Sequence, residues 1–191
     1  FFWQKLKSQE QLLKLDDQQQ ETVIEETVDL ALADSKTHHI MEGLISLEKK
    51  RLIKLLSHWL TIEKQRRTFS VIETEHTYYY QTPYIAIRMK IDRIDQLSNN
   101  SRVIIDYKTG ATTIASWFAN RPKEPQLPIY CLSQTQDTSG IMFAQLKANN
   151  MQFKGLVRDE DETSASLKTV EQIRNDHKAE NWDAQIDSWK D

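Results

Sequence analysis

The chain has 191 residues, 39% of them apolar and 28% charged, a balance that suits one domain with a full-sized core and excludes a disordered chain. A formal charge of -3 neither marks a nucleic-acid binder nor excludes one, because a local basic face can hold phosphates on a nearly neutral protein. No apolar run approaches the roughly 18 residues of a membrane span, and the single cysteine, Cys131, excludes an internal disulfide and any metal centre built from several thiolates.

Periodicity makes the first third helical. The stretch "FFWQKLKSQEQLLKL" puts Phe2, Leu6, Gln9 and Leu13 near one stripe, and "ETVIEETVDLALAD" follows with Val23, Ile24, Thr27, Val28 and Leu32 at helical spacing. A longer helix is predicted over 39–66, with Ile40, Leu44, Leu47, Leu52, Leu55, Leu56 and Trp59 inward. The period then drops from about 3.6 to about 2. "FSVIETEHTYYY" reads as a strand, and "YIAIRMKI" alternates Ile85, Ile87, Met89 and Ile91 against Ala86, Arg88, Lys90 and Asp92. "LSNNS" is turn chemistry, and "RVIIDYK" is the next strand. A helix is predicted at "EPQLPIYCLSQ", where prolines are tolerated in a first turn. Two strands, "GIMFAQLKA" and "MQFKGLVR", turn at Asn149-Asn150, and an exposed charged helix over 166–191 carries Trp182 and Trp189.

This order predicts an α/β fold with a mixed sheet and no alternating βαβ pattern. The domain expected is a single one over 1–191: a helical segment 1–67, a sheet core 68–160 holding the site, and a C-terminal helix over 161–191. With Phe1 first and no signal peptide in view, the chain reads as a cytoplasmic piece of a longer polypeptide. No glycine-rich phosphate loop is present, so nucleotide-dependent chemistry is not expected.

Asp106 and Lys108 stand two apart in a strand and therefore share a face. By themselves they are either an exposed ion pair of small energetic weight or the edge of an active site. The neighbouring strand adds to the signal. Its alternation runs to Ile91 and then slips, because the next inward apolar residue is Ile94. The slip predicts a bulge or strand end at Asp92-Arg93, and pairing through "LSNNS" brings Asp92 toward Asp106. Two carboxylates beside a lysine suit a hard divalent cation that keeps several waters. Asp95, an odd three residues from Asp92, faces the other way and is expected to matter far less to activity.

"KIDRIDQLSNNSRVIIDYKTG" followed by "EPQLPIY" resembles the RecB-type branch of the PD-(D/E)xK nuclease superfamily. That branch carries a G-x-(I/V)-D-R-(I/V)-D strand, an (I/L)-D-(Y/F)-K-(T/S)-G strand and a Q-L-x-x-Y helix, and the likeness is good over 71–155. The resemblance implies a restriction-endonuclease-like core behind a helical N-terminal segment. It implies metal binding by Asp92, Asp106 and the Tyr107 main-chain carbonyl, a catalytic Lys108, and supporting roles for Gln126 and Tyr130, which share a helix face four residues apart. Glu75 sits where relatives often carry a glutamate, and Lys90 stands where they usually have glycine. The cofactor implied is Mg²⁺ or Mn²⁺. The iron–sulfur cluster that some relatives hold through four cysteines is not expected with one cysteine.

The activity implied is metal-dependent hydrolysis of DNA, single-stranded or at duplex ends, by the terminal module of a repair or recombination protein. A helicase subunit, or a helicase domain of the same chain, is the expected protein partner, and no membrane is involved. The alternative is a non-catalytic module of the same fold that binds DNA or a helicase; retention of Asp92, Asp106 and Lys108 together favours the enzyme. "FFWQKL" resembles a segment that in relatives follows a metal-binding histidine, so that histidine is expected upstream of Phe1.

The remaining chemistry-bearing residues read as ordinary structure. His38 and His39 diverge on a helix and cannot chelate together. His58, His76 and the charged runs "EKKRLIK" and "EKQRR" read as solvated faces. Tyr78, Tyr79 and Tyr80 alternate faces and so cannot all stack on bases, and Trp117 and Phe118 read as core.

Overall fold

The change of period near Phe69 marks a boundary in space as well as in sequence. The computed structural model describes residues 1–34, 42–81, 84–119, 122–134, 137–159, 167–173 and 179–190, and the chain divides into the units Phe1–Thr68 and Phe69–Asp191. Ile40, His38 and His39 lie outside the described residues.

The first unit is helical: α1 (Phe2–Lys5), α2 (Gln9–Leu13), α3 (Asp17–Asp34) and α4 (Glu42–Lys64). The continuous first helix expected from periodicity is broken at Ser8, whose extended backbone and side-chain bond to Gln11 N start α2 afresh. That restart turns Leu12 inward, fully buried, and leaves Leu13 exposed. In α4 the inward face is likewise displaced. Trp59 and Leu60 are buried, whereas Leu44 and Leu47 are exposed, because a stripe in sequence does not say which part of it another element covers. The buried Gln9 amide donates to the carbonyls of Glu63, Lys64 and Arg66, satisfying acceptors that the end of α4 leaves open. The buried Glu63 carboxylate accepts from Trp59 Nε1 and Arg66, both at 3.0 Å.

The second unit is built on a sheet of β1 (Phe69–Gln81), β2 (Ala86–Leu97), β3 (Arg102–Lys108), β4 (Thr138–Lys147), β5 (Asn150–Val157) and β6 (Lys168–Thr169), in that spatial order. Pairings β3–β4 and β5–β6 are parallel and the others antiparallel. A parallel neighbour requires a crossover, and the one between β3 and β4 carries a 3₁₀ turn at Ala115–Phe118 and helix α5 (Gln126–Ser133). Ile94, Ile104, Ile141, Phe143 and Leu156 join Trp117, Leu127, Tyr130 and Cys131 in one core. Asn100 and Asn149 take left-handed backbone conformations, φ 66 and 63, in the two hairpin turns. The second turn closes at Ala148-Asn149, one residue earlier than predicted, because Asn150 already pairs with Lys147.

The tail departs most from its expected form. In place of a helix over 166–191 the described residues hold strand β6 and the short helix α6 (Trp182–Ser188). Trp182 is buried in the core, and Trp189 donates through Nε1 to Trp117 O at 2.8 Å. Two tryptophans in a charged stretch were anchors, not exposed features.

Gly155 allows β4 and β5 to lie against each other. A Cβ there would overlap the Ile141 carbonyl oxygen and reach 2.6 Å from Met142 Cα. Gly155→Ala is therefore expected to destabilise the protein by about 1–3 kcal/mol. The urea midpoint reads this, and a midpoint equal to wild type would refute it.

Candidate active site

Strand β2 runs unbroken through Asp92 and Arg93, contrary to the bulge predicted there. The extra residue sits on β1, where the register shifts between Val71 and Glu73. What ends at Arg93 is the pairing of β2 with β3, whose last matched pair in this direction is Arg93 with Ile105. One step further, Asp92 stands opposite Asp106 at the mouth of the separating strands, and its Oδ2 accepts from Tyr107 N at 2.8 Å. The slip in the sequence pattern has its own cause. Arg93 and Asp95 are buried polar residues on the reverse face, joined by two bonds of 2.6 and 2.7 Å (Nε–Oδ1 and Nη2–Oδ2). Arg93 also donates to the Tyr107 hydroxyl at 2.9 Å and lies over the Phe69 ring at 4.7 Å. Asp95 thus points away from the acids, as its odd spacing implies, yet it is no bystander.

The structure brings Asp92, Asp106, Lys108, Gln126 and Tyr130 together. Lys108 Nζ forms an ion pair with Asp106 Oδ2 at 2.7 Å, and among the described residues that buried oxygen has no aligned hydrogen-bond donor. The ammonium donates to Gln126 Oε1 at 3.2 Å, Gln126 Nε2 donates to the Tyr130 hydroxyl at 2.6 Å, and that hydroxyl donates to Lys90 O at 2.7 Å. The chain of bonds fixes the amide of Gln126 with its oxygen toward the lysine. Gln126 and Tyr130 share one face of α5, so the helix delivers both members from a single turn.

Electrostatics mark the same place. Burial pushes the Asp92 carboxyl above its ordinary value, the Tyr107 N–H pulls it back, and repulsion from Asp106 and then Glu75 raises it further. Burial likewise raises Asp106, against the pull of the Lys108 ammonium. A carboxylate pair held partly dry and facing each other favours a cation between them. Glu75, with a left-handed backbone (φ 54), gives its carboxylate to Lys90 and reaches Asp92 only through its field. Cys131, on the next position of α5, is buried, and burial pushes its thiol up to about 12, which disfavours the thiolate a nucleophile needs.

The residues fit a divalent ion of the Mg²⁺ type. Asp106 Oδ2 is a buried acceptor without an aligned donor, and such ions take one or two carboxylates and fill the rest of their shell with water and substrate oxygens. Among the described residues no group of three or more histidine, cysteine, aspartate or glutamate side chains is placed to hold a metal.

Sequence reasoning missed Gln145. It lies fully buried in β4, in register with Lys108, and its Oε1 accepts from Thr112 N and Oγ1 at 3.0 and 3.1 Å, pinning the loop that follows the lysine. Only the parallel β3–β4 pairing reveals it, and a parallel register has no short-range sequence signal.

A mixed sheet flanked by helices, with two acids and a lysine at the fork of two strands, defines a nuclease-type domain of restriction-endonuclease-like fold. The chain belongs to the PD-(D/E)XK nuclease superfamily, whose family model matches residues 3–189. A search of curated proteins found no match. Nucleases of this superfamily typically use divalent metals such as Mg²⁺.

Proposed function

We propose that this protein is a Mg²⁺- or Mn²⁺-dependent deoxyribonuclease of the RecB type, a module of a DNA repair or recombination protein that works beside a helicase. The observation that carries the reading is the line Asp106–Lys108–Gln126–Tyr130–Lys90 O, which holds an ammonium against the buried one of two neighbouring acids. In this reading Asp92, Asp106 and the Tyr107 carbonyl hold the ion. When bound, it supplies Lewis acidity toward a phosphoryl oxygen and lowers the pKa of water.

The chain's own residues do the rest. Lys108 places a positive charge where negative charge grows on the phosphoryl oxygens, and Gln126 keeps it there without neutralising it, because an amide oxygen carries no formal charge. Tyr130 holds that amide in one orientation, which the lysine needs at the moment of reaction. Partial burial of both acids keeps water from screening these charges. Among the described residues no histidine bonds a serine or cysteine beside these groups, which supports hydrolysis by water.

Cleavage of labelled single-stranded and duplex DNA should appear with Mn²⁺ or Mg²⁺ and vanish in EDTA. Cleavage undiminished by chelator would end the metal-dependent reading.

A further inference from the structure

We propose that a cavity at the β5–β6 side of the sheet is a second phosphate site, which holds the nucleic-acid backbone a few nucleotides from the bond cut; this rests on the nuclease reading. The cavity has a volume of about 310 Å³ and is lined by Ile114, Gln152, Lys154, Gly155, Lys168 and Ile173. Register places it on the face of the acids. Asp106 pairs with Phe143, Phe143 with Lys154, and Leu156 with Lys168, and directly paired residues share a face. Two strand spacings separate Lys154 from Asp106, roughly 10 Å. A duplex strand covers that distance in about three nucleotides at its rise of ~3.4 Å each.

Among the described residues the lining is one-sided: two ammonium groups and no carboxylate. The Lys154 ammonium donates to Thr112 O and to Gln145 Oε1, both at 3.2 Å. Gln145 is itself held, because its Nε2 donates to Asn150 O at 2.8 Å. The lysine is therefore fixed in direction by neutral oxygens, with no carboxylate partner among the described residues. Lys168 is exposed and makes no ion pair among the described residues. A fixed ammonium with a second one beside it favours an anion with several acceptor oxygens, and a phosphodiester brings two. Ile114 and Ile173 leave an apolar wall that a sugar ring matches better than water does.

The loop carrying Thr112 and Ile114 links this cavity to Lys108. Gln145 receives Thr112 from one side and Lys154 from the other, so a backbone seated in the cavity bears on the same loop that follows the catalytic strand. Occupancy there sets the register in which the strand reaches Asp92 and Asp106.

Fluorescence anisotropy of a labelled single-stranded oligodeoxynucleotide, titrated with the full chain in EDTA over a range of NaCl, tests this. Lys168→Ala should flatten the slope of log K against log salt by about 0.7, and Lys168→Ala with Lys154→Met by about twice that. Lys168→Ala alters an exposed side chain and carries the test by itself should the double variant melt early by circular dichroism. Unchanged slopes, with wild type cutting DNA in Mg²⁺, overturn the second site and leave the nuclease reading in place. Wild type that neither binds the oligonucleotide nor cuts it overturns both. Binding of inorganic phosphate lost in Lys168→Ala, with the oligonucleotide slope unchanged, overturns the backbone assignment in favour of a free anion.

Discussion

Asp106→Asn is expected to abolish DNA cleavage and, in the metal-free protein at neutral pH, to raise the melting temperature. The loss should be at least about 100-fold, the scale on which one preorganised charged group acts in a transition state. Lys108→Ala should lose as much, since members of one constellation each remove most of its effect. The gain in stability follows from the direction of the carboxyl's shift. Burial raises the Asp106 pKa above its ordinary value, so the folded state holds its proton more tightly than the unfolded chain. Stability from this group is present below the unfolded value and is lost as pH rises through the folded one. At neutral pH the ionised acid is a cost, which asparagine removes. Differential scanning calorimetry in EDTA at neutral and at acid pH reads the effect. The advantage of Asp106→Asn should shrink at acid pH, and an advantage that grew there would overturn the argument.

Asp95→Ala is expected to be the most damaging to folding of all single changes near the site, at about 3–5 kcal/mol. The cause lies in what it leaves behind. Arg93 and Asp95 are both buried, and the carboxylate satisfies two of the guanidinium's donors. Without it a full positive charge in the interior loses the carboxylate that satisfied two of its donors, while the Tyr107 hydroxyl and the Phe69 ring are among the contacts it keeps. A fall in melting temperature on the order of 10–20 °C follows. The pair Arg93→Met with Asp95→Leu is the informative companion, because replacing both members of a buried ion pair is often close to neutral. Should Asp95→Ala melt with the wild type, the pair contributes nothing to the fold. The sequence argument expected Asp95 to matter little to activity on the ground that it faces away. Facing away from the acids placed it inside the protein instead.

The Arg93–Asp95 pair shows what kind of information the chain carries in the open. Asp92, Asp106 and Lys108 are legible because a strand's period of two is short-range, and a hairpin turn at "LSNNS" brings the two strands together. Gln126 and Tyr130 are legible from one helical turn, although that they meet Lys108 and Lys90 O needed coordinates. Arg93 was misread because alternation assumes that one face is dry and apolar, and here an ion pair fills the reverse face. Ser8 broke a predicted helix through a cap that competes with the pattern of apolar residues. Gln145 and Lys168 were invisible for a third reason: their neighbours lie across parallel strands, whose register is set by a crossover and not by adjacent residues.

The anchor of the Gln126–Tyr130 line is a main-chain oxygen, and every amino acid owns one. Tyr130 bonds Lys90 O, while the Lys90 side chain goes out to Glu75. Any residue at position 90 therefore presents the same acceptor to Tyr130, whatever side chain it carries. The surface charge at position 90 can thus change by substitution while the oxygen that anchors Tyr130 stays in place.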